Sequence, residues 1–90
     1  MAKYNRYKNL KFDPENYDPM DVGAMSSLLR RRSDSVRNRI KDGEWTIADL
    51  DKAISYVEDC ENFLKKEDPE WQSPYEGNMR EIYKDLLSQL

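Results

Sequence analysis

The sequence predicts an all-α domain, a small bundle of three to five short helices behind a partly extended N-terminal arm. Apolar residues recur at spacings of three and four in four segments, which is the periodicity of helices with one buried face. Residues of the capping type precede most of these segments, and glycine or proline follows them. An arm is thus predicted over residues 1–17 and one helical domain over residues 18–90. The predicted helices span about 19–31, 33–42, 46–66 and 78–90.

Composition indicates a folded chain of marginal stability. The 90 residues are 38% hydrophobic and 37% charged, with a formal net charge of −3. Two Trp, six Tyr and four Met add bulky apolar area, but a chain this short buries a modest share of its surface. Dimerisation through the apolar stripe of the last predicted helix would add stability. The alternative is that this stripe packs inside its own domain. That stripe comprises Met79, Ile82, Tyr83, Leu86 and Leu90.

The arm shows no helical period. Its aromatic and aliphatic residues recur irregularly, and Pro14 and Asn16 break any continuation into a helix. Leu10 and Phe12 alternate with polar neighbours, so a short strand is an open alternative. Basic residues interleaved with tyrosines can stack on bases or lie along phosphates. In most proteins such aromatic residues pack on the helical core, and we expect this second arrangement.

The first helix begins at a clear signal and ends at an ambiguous one. Asp18 is an N-cap residue type, and Pro19 suits the first helical position. The apolar stripe is then interrupted near Arg31–Ser33. One long helix over 19–42 and a turn followed by a new helix both fit. The second is favoured, since serines of the capping type stand at the interruption.

The later helices carry stronger signals. Gly43 supplies a left-handed stop, and Thr46 with Asp49 three residues on is a variant of the capping box. The stripe that follows is the most regular in the chain, and Cys60 lies on it, which predicts a buried thiol. Asn78 caps the last predicted helix.

The inventory of side chains argues against catalysis. The chain has no histidine, the usual acid–base residue near neutral pH and the commonest metal ligand. A single cysteine cannot close an intrachain disulfide. We therefore expect a non-enzymatic protein without metal or cofactor. Because no apolar run approaches the roughly 18 residues of a membrane span, and Lys3–Lys11 is too polar for a signal peptide, we expect a cytoplasmic location, the host cytoplasm if the chain is phage-encoded.

Charge is strongly segregated along the chain. Residues 1–12 carry four basic residues and no acid, and residues 30–41 carry six basic residues against one acid. Residues 13–29 carry four acids and no base, and residues 42–90 carry 13 acids against 5 bases. Such asymmetry favours a polyanionic partner, with a solvated surface balanced by the acidic half as the alternative.

Residues 30–41 are the most informative segment. In a helix over 33–42, Val36 and Ile40 face inward and the polar residues between them face outward. Arginine pairs with both acceptors of guanine, asparagine pairs with adenine, and the preceding arginines can bind phosphates. DNA or RNA is therefore the favoured partner. The predicted nucleic-acid-binding residues are Arg30, Arg31, Arg32, Ser35, Arg37, Asn38, Arg39 and Lys41.

Residues 33–57 resemble the second half of a lambda-repressor/Cro-type helix-turn-helix domain. The shared features are a short helix with inward valine and isoleucine, a glycine turn at Gly43, and a further helix that opens at Thr46. The resemblance implies a DNA-binding regulator. It also implies that the short helix approaches bases through Ser35, Arg37, Asn38 and Lys41.

The acidic half supports a second hypothesis, in which the chain is a small inhibitor or adaptor that binds and occludes a protein or nucleoprotein complex. Phage-encoded counter-defence factors, such as anti-CRISPR proteins, act in this way. Carboxylates can dock on a basic surface, and tryptophan and tyrosine commonly anchor interfaces. A solvated helix face and a covered core are the alternatives for these residues. The candidates are Trp45, Glu58, Asp59, Glu61, Trp71 and Tyr75.

Overall fold

Four α-helices make up the part of the chain that the computed structural model describes, which is Tyr7 and residues 9–90. No strand occurs among these described residues, so the all-α prediction is confirmed and the alternative of a short strand at Leu10–Phe12 is wrong. The helices are α1 (Pro19–Arg31), α2 (Ser33–Lys41), α3 (Ile47–Glu67) and α4 (Met79–Ser88).

A single residue, Arg32, separates α1 from α2, which confirms the predicted turn at this point. Its backbone, at φ −120° and ψ 46°, leaves the helical region. The Asp18 carboxylate caps α1 as predicted and accepts a hydrogen bond from the Met20 N–H at 2.9 Å. The expected serine cap of the second helix is wrong, because Ser33 already lies inside α2 and the N-cap residue Arg32 makes no side-chain capping hydrogen bond.

The start of α3 follows the predicted pattern. Gly43 has a φ of +80°, the left-handed conformation that favours glycine. The Thr46 hydroxyl accepts from the Asp49 N–H at 3.1 Å, and the Asp49 carboxylate accepts from the Thr46 N–H at 2.9 Å. The capping box is thus complete. The Asn78 side chain caps α4 by accepting from the Arg80 N–H at 2.8 Å.

The core is built around α3. Helices α1 and α4 both pack along α3, whereas α2 packs mainly on α1. Cys60 is fully buried on the inner face of α3, and Val36 is the buried residue of α2. The largest fully buried side chains are Trp45, Met25, Leu29, Leu50, Ile54 and Leu86.

The arm packs aromatic residues on α3, as expected. The Phe12 ring lies 5.8 Å from that of Phe63 and 6.4 Å from that of Tyr56, centroid to centroid. Tyr17 lies 5.7 Å from Phe63 in the same edge-to-face manner. These contacts pin the arm at the end that leads into α1. Residues 1–6 and Lys8 of the predicted arm, with the basic residues Lys3, Arg6 and Lys8, lie outside the described residues.

The length and polarity of a helix determine whether it could cross a membrane. The longest helix, α3, has 21 residues and charged side chains along its outer face. Within Tyr7 and residues 9–90, no helix combines the length and the apolar character that crossing a bilayer requires.

Candidate binding surfaces

Arg30, the first of the predicted nucleic-acid-binding residues, is part of the interior. Its side chain is 5% exposed and one Nη atom donates to the Glu61 carboxylate at 2.9 Å. The other Nη atom donates to the Ser73 hydroxyl at 2.9 Å and to the Tyr75 carbonyl at 3.1 Å. The prediction for Arg30 is wrong, because these bonds tie α1 to α3 and to the loop before α4 and leave the guanidinium no access to a phosphate.

Two further arginines of α2 are paired within the chain. Arg37 forms an ion pair with Asp34 one turn earlier. One Nη atom of Arg39 lies 3.9 Å from the Glu44 carboxylate, and the guanidinium lies 5.9 Å from the Trp45 ring centroid. Because these carboxylates offset much of the local charge, the basic segment of residues 30–41 does not form a continuous cationic surface.

The remaining polar residues of the segment face solvent. Arg31, Arg32, Asn38 and Lys41 are exposed, and Ser35 is half-buried. The Arg31 guanidinium stacks over the Tyr75 ring, 4.9 Å from its centroid. Among the described residues, no carboxylate forms an ion pair with Arg31 or Arg32.

A groove of about 300 Å³ lies between α1, the end of α3 and the loop that follows α3. We call it the aromatic groove. Three residues predicted for protein binding, Glu61, Trp71 and Tyr75, lie along it. The other lining residues are Tyr17, Pro19, Val22, Gly23, Ser26, Leu64, Ser73 and Pro74.

A second groove, of about 320 Å³, lies on the other side of α1, beside the junction with α2. We call it the basic groove. Two arginines, a serine and a tyrosine are among the residues that line it, and no carboxylate lines it within the described part of the chain. Its lining residues are Tyr7, Ala24, Ser27, Leu28, Arg32 and Arg39.

Sequence reasoning missed both grooves. The available signal was the run of small residues on α1, where Gly23 and Ser26 line the aromatic groove and Ala24 and Ser27 line the basic groove. Small side chains leave space between a helix and its neighbours. A Cβ atom added at Gly23 would meet no heavy atom within 4 Å outside its own helix and chain neighbours.

Other residues predicted for protein binding lie elsewhere. Trp45 is 2% exposed in the core, so its predicted role as a surface anchor is wrong. It is buried because Gly43 turns the chain back over α2, which brings the indole under Arg39. Glu58 is held by Arg80 at 3.3 Å, and Asp59 is exposed on α3.

The predicted dimer seam is largely used within the chain. Met79 and Leu86 are buried, because they face α3, so their predicted part in a dimer contact is wrong. Ile82 and Tyr83 pack partly against the same core, and Leu90 remains 43% exposed.

Two titratable groups on the inner face of α3, Cys60 and Tyr56, are held in their neutral form. Burial raises the pKa of the Cys60 thiol to about 12 and the pKa of the Tyr56 hydroxyl to about 12. A thiol with so high a pKa is a weak nucleophile at neutral pH, since the thiolate is the reactive species. No group of three or more metal-ligating side chains occurs among the residues that the structure describes.

Comparison with known proteins adds no relative. No family model matches the chain, and no curated protein or solved structure matches it. The connection of one residue between α1 and α2 is also shorter than the three or four residues that join the helices of a helix-turn-helix motif. The two grooves and their charges are therefore the features that bear on function.

Proposed function

We propose that this chain is a non-enzymatic adaptor or inhibitor that binds another protein by taking an apolar side chain of that partner into the aromatic groove. One observation carries the proposal. Glu61, Trp71 and Tyr75, each predicted from the sequence to bind protein, line a single groove of about 300 Å³.

The lining of the groove suits a large apolar side chain. Its walls are formed by one tryptophan, two tyrosines, two prolines and aliphatic residues. Aromatic side chains of this kind dominate the binding energy of protein interfaces. They also lose little conformational entropy when they are covered, because they have few rotatable bonds and proline is rigid.

Charge near the groove selects a basic partner segment. Asp18 and Glu70 are exposed and each directly precedes a lining residue, and Glu67 lies one turn beyond Leu64. The exposed cations nearby are Arg31 over the Tyr75 ring and Lys65 and Lys66 after Leu64, and the exposed acids, which also include Asp68 and Glu76, outnumber them. An apolar residue flanked by lysine or arginine therefore complements the groove, and complementary charge raises the rate and the specificity of association.

The prediction that residues 30–41 bind duplex DNA is less well supported than protein binding at the aromatic groove. Arg30 is buried in an ion pair, and carboxylates of the same chain lie beside Arg37 and Arg39. The exposed cations Arg31, Arg32 and Lys41 remain. This is too few for the six to ten phosphate contacts on which many DNA-binding proteins depend.

A site-specific photo-crosslinker tests the proposal. Trp71 is replaced by benzoylphenylalanine, and Ile47, an exposed apolar residue of α3 outside the groove, is replaced in the control. In extracts of the cells that produce the chain, we expect position 71 to crosslink to a discrete protein and position 47 not to do so. Equal crosslinking from both positions, or none from position 71, contradicts the proposal.

Purified partner then allows a quantitative measurement. Trp71→Ala is expected to weaken binding about 30-fold or more, the effect of losing an interface hot spot, with an unchanged midpoint of thermal unfolding. Glu70→Lys is expected to slow association, whereas Asp85→Lys, an exposed acid on α4, serves as the matched control. If the two charge reversals have the same effect, the charge selectivity assigned to the groove is wrong.

A further inference from the structure

The basic groove differs from the aromatic groove in its chemistry. Arg32 and Arg39 approach it from the α1–α2 junction and from α2, and Ser27 contributes a hydroxyl from α1. Tyr7, half-buried against the core, also lines the groove, as does Ala24 with its short side chain. A cationic concavity that has an aromatic wall offers two kinds of contact at once, one to an anion and one to a planar ring.

Both guanidiniums retain donors for a ligand. Arg32 is exposed and forms no ion pair with any residue that the structure describes. Arg39 is one third exposed, and its 3.9 Å approach to Glu44 exceeds the length of a hydrogen bond. Guanidinium groups bind phosphate through paired N–H donors, and two of them at one groove reinforce this preference.

The nearest carboxylates do not fill the groove. Glu44 lies beside Arg39, and Asp21 lies one turn before Ala24 on α1, but neither lines the groove. Both are engaged in other interactions within the protein. Two arginines and no carboxylate line the groove in the described part of the chain, so its lining favours an anion although the whole chain is acidic.

We propose that the basic groove binds one nucleotide unit of single-stranded nucleic acid, with the phosphate between Arg32 and Arg39 and the base against the Tyr7 ring. Stacking on an aromatic side chain requires a base that is free of its duplex partner. A concave site also accepts an unstacked base, whereas reading a major groove requires a protruding element. This site is separate from the aromatic groove, so it goes beyond the protein-binding function proposed above.

Fluorescence anisotropy with a labelled oligo-dT single strand tests the site. We expect binding at about 50 mM salt that weakens about two- to threefold at about 200 mM, as one phosphate contact on a single strand implies. A duplex of the same length is expected to bind more weakly, and inorganic phosphate is expected to compete far less well than the oligonucleotide. Absence of binding at low salt, or preference for the duplex, overturns the proposal.

Matched variants locate the contact. Arg32→Gln is expected to weaken binding about tenfold and to flatten the dependence on salt, because Arg39 alone then holds the phosphate. Arg37→Gln is the control, because Arg37 lies on α2 but does not line the groove. If both substitutions have the same effect, binding depends on the overall charge of α2 and not on the basic groove, and the proposed site is wrong.

Substitution of the tyrosine separates a nucleotide site from a phosphate site. Tyr7→Ala is expected to weaken binding of the single strand about tenfold, within the range of base–aromatic stacking. Tyr7→Phe keeps the ring and is expected to bind like the original chain, which also guards against loss of packing in the alanine variant. Unchanged binding by Tyr7→Ala shows that phosphate alone is recognised and overturns the nucleotide assignment. Trp71→Ala, which tests the aromatic groove, is expected to leave oligonucleotide binding unchanged, so the two proposals fail independently.

Discussion

Two arginines connect outer elements to α3, and they do so in contrasting surroundings. Arg30 of α1 donates to Glu61 and to two groups of the loop before α4, with a side chain that is 5% exposed. Arg80 of α4 donates to Asp51, Ser55 and Glu58 of α3, with a side chain that is 44% exposed. Each makes three hydrogen bonds, so the difference between the two regions is access to water rather than the number of partners.

That difference decides what each arginine contributes. An exposed ion pair replaces contacts that water would otherwise make, and its net contribution is about 0 to 1 kcal/mol. A buried pair has lost its water, so removing one partner leaves the other charge uncompensated in the interior. The Arg30 cluster therefore stabilises the fold by holding the loop before α4, with its aromatic residues, against α1. The Arg80 cluster is a surface network on a helix already held by its apolar face.

The largest effect is expected at Arg30. Arg30→Met should lower the free energy of unfolding by about 3–5 kcal/mol, because Glu61 is left buried without its counter-charge. Such a loss is a large share of the stability of a small domain. Urea unfolding followed by circular dichroism measures it, and a loss below about 1 kcal/mol would show that Arg30 is effectively solvated.

The double variant Arg30→Met with Glu61→Leu sharpens this result. It removes both charges and fills the space with apolar groups, so we expect most of the lost stability to return. A double variant as unstable as Arg30→Met alone would contradict the account, since the loss would then come from Ser73, Tyr75 or packing.

The dependence of stability on alkaline pH tests whether the inner face of α3 is shielded from water. Burial raises the pKa of both the Cys60 thiol and the Tyr56 hydroxyl to about 12, whereas the unfolded chain releases these protons near pH 8.5 and pH 10, approximately. Stability from these groups is therefore complete at neutral pH. The thiol contribution is lost as pH rises from about 8.5 toward 12 and the hydroxyl contribution from about 10 toward 12, each by about 1.4 kcal/mol per pH unit.

The variant Cys60→Ala isolates the thiol contribution. Its free energy of unfolding should fall less steeply than that of the original chain between about pH 8.5 and pH 11. Tyr56→Phe removes the other raised pKa and should flatten the curve only above about pH 10. Parallel curves for Cys60→Ala and the original chain would indicate that the thiol is accessible to water.

The capping box at the start of α3 has an intermediate expected effect. Thr46→Ala removes the hydroxyl that accepts from the Asp49 N–H, and a loss of about 1 kcal/mol is typical for an N-cap. Thr46→Ser keeps the acceptor and should retain most of the stability. If serine and alanine variants are equally destabilised in urea unfolding, the hydroxyl is not the stabilising group.

Local signals predict the helices because they depend on neighbours in the sequence. The caps at Asp18, Thr46 and Asn78 and the stop at Gly43 each act within about four residues, and the structure has each of them. The same local logic names one wrong cap, since Ser33, expected to cap the second helix, is the first residue of α2.

The sites depend on contacts that no local pattern contains. Arg30 meets Glu61, Ser73 and Tyr75 across 31 to 45 residues of sequence, so its burial could not be deduced from the basic run around it. The surface position expected for Trp45 is wrong for the same reason, since helical periodicity gives the direction of a face but not the element that covers it. Both grooves arise where such non-local packing is incomplete.

The smallest effect is expected at Arg80, where the comparison with Arg30 is most direct. Hydrogen bonding to Glu58 is the main cause that raises the pKa of this guanidinium, so the charge is present at any pH at which the protein is folded. Arg80→Ala nevertheless should change the free energy of unfolding by less than about 1 kcal/mol, because water can replace the arginine at both carboxylates. Moderate salt should reduce even this difference, whereas the loss at Arg30 should persist, since a buried pair is poorly screened. If the Arg80 and Arg30 substitutions lower the free energy of unfolding equally, water is excluded from the α3–α4 contact as fully as from the α1–α3 contact. Solvent exposure would then not determine how much each arginine stabilises the fold.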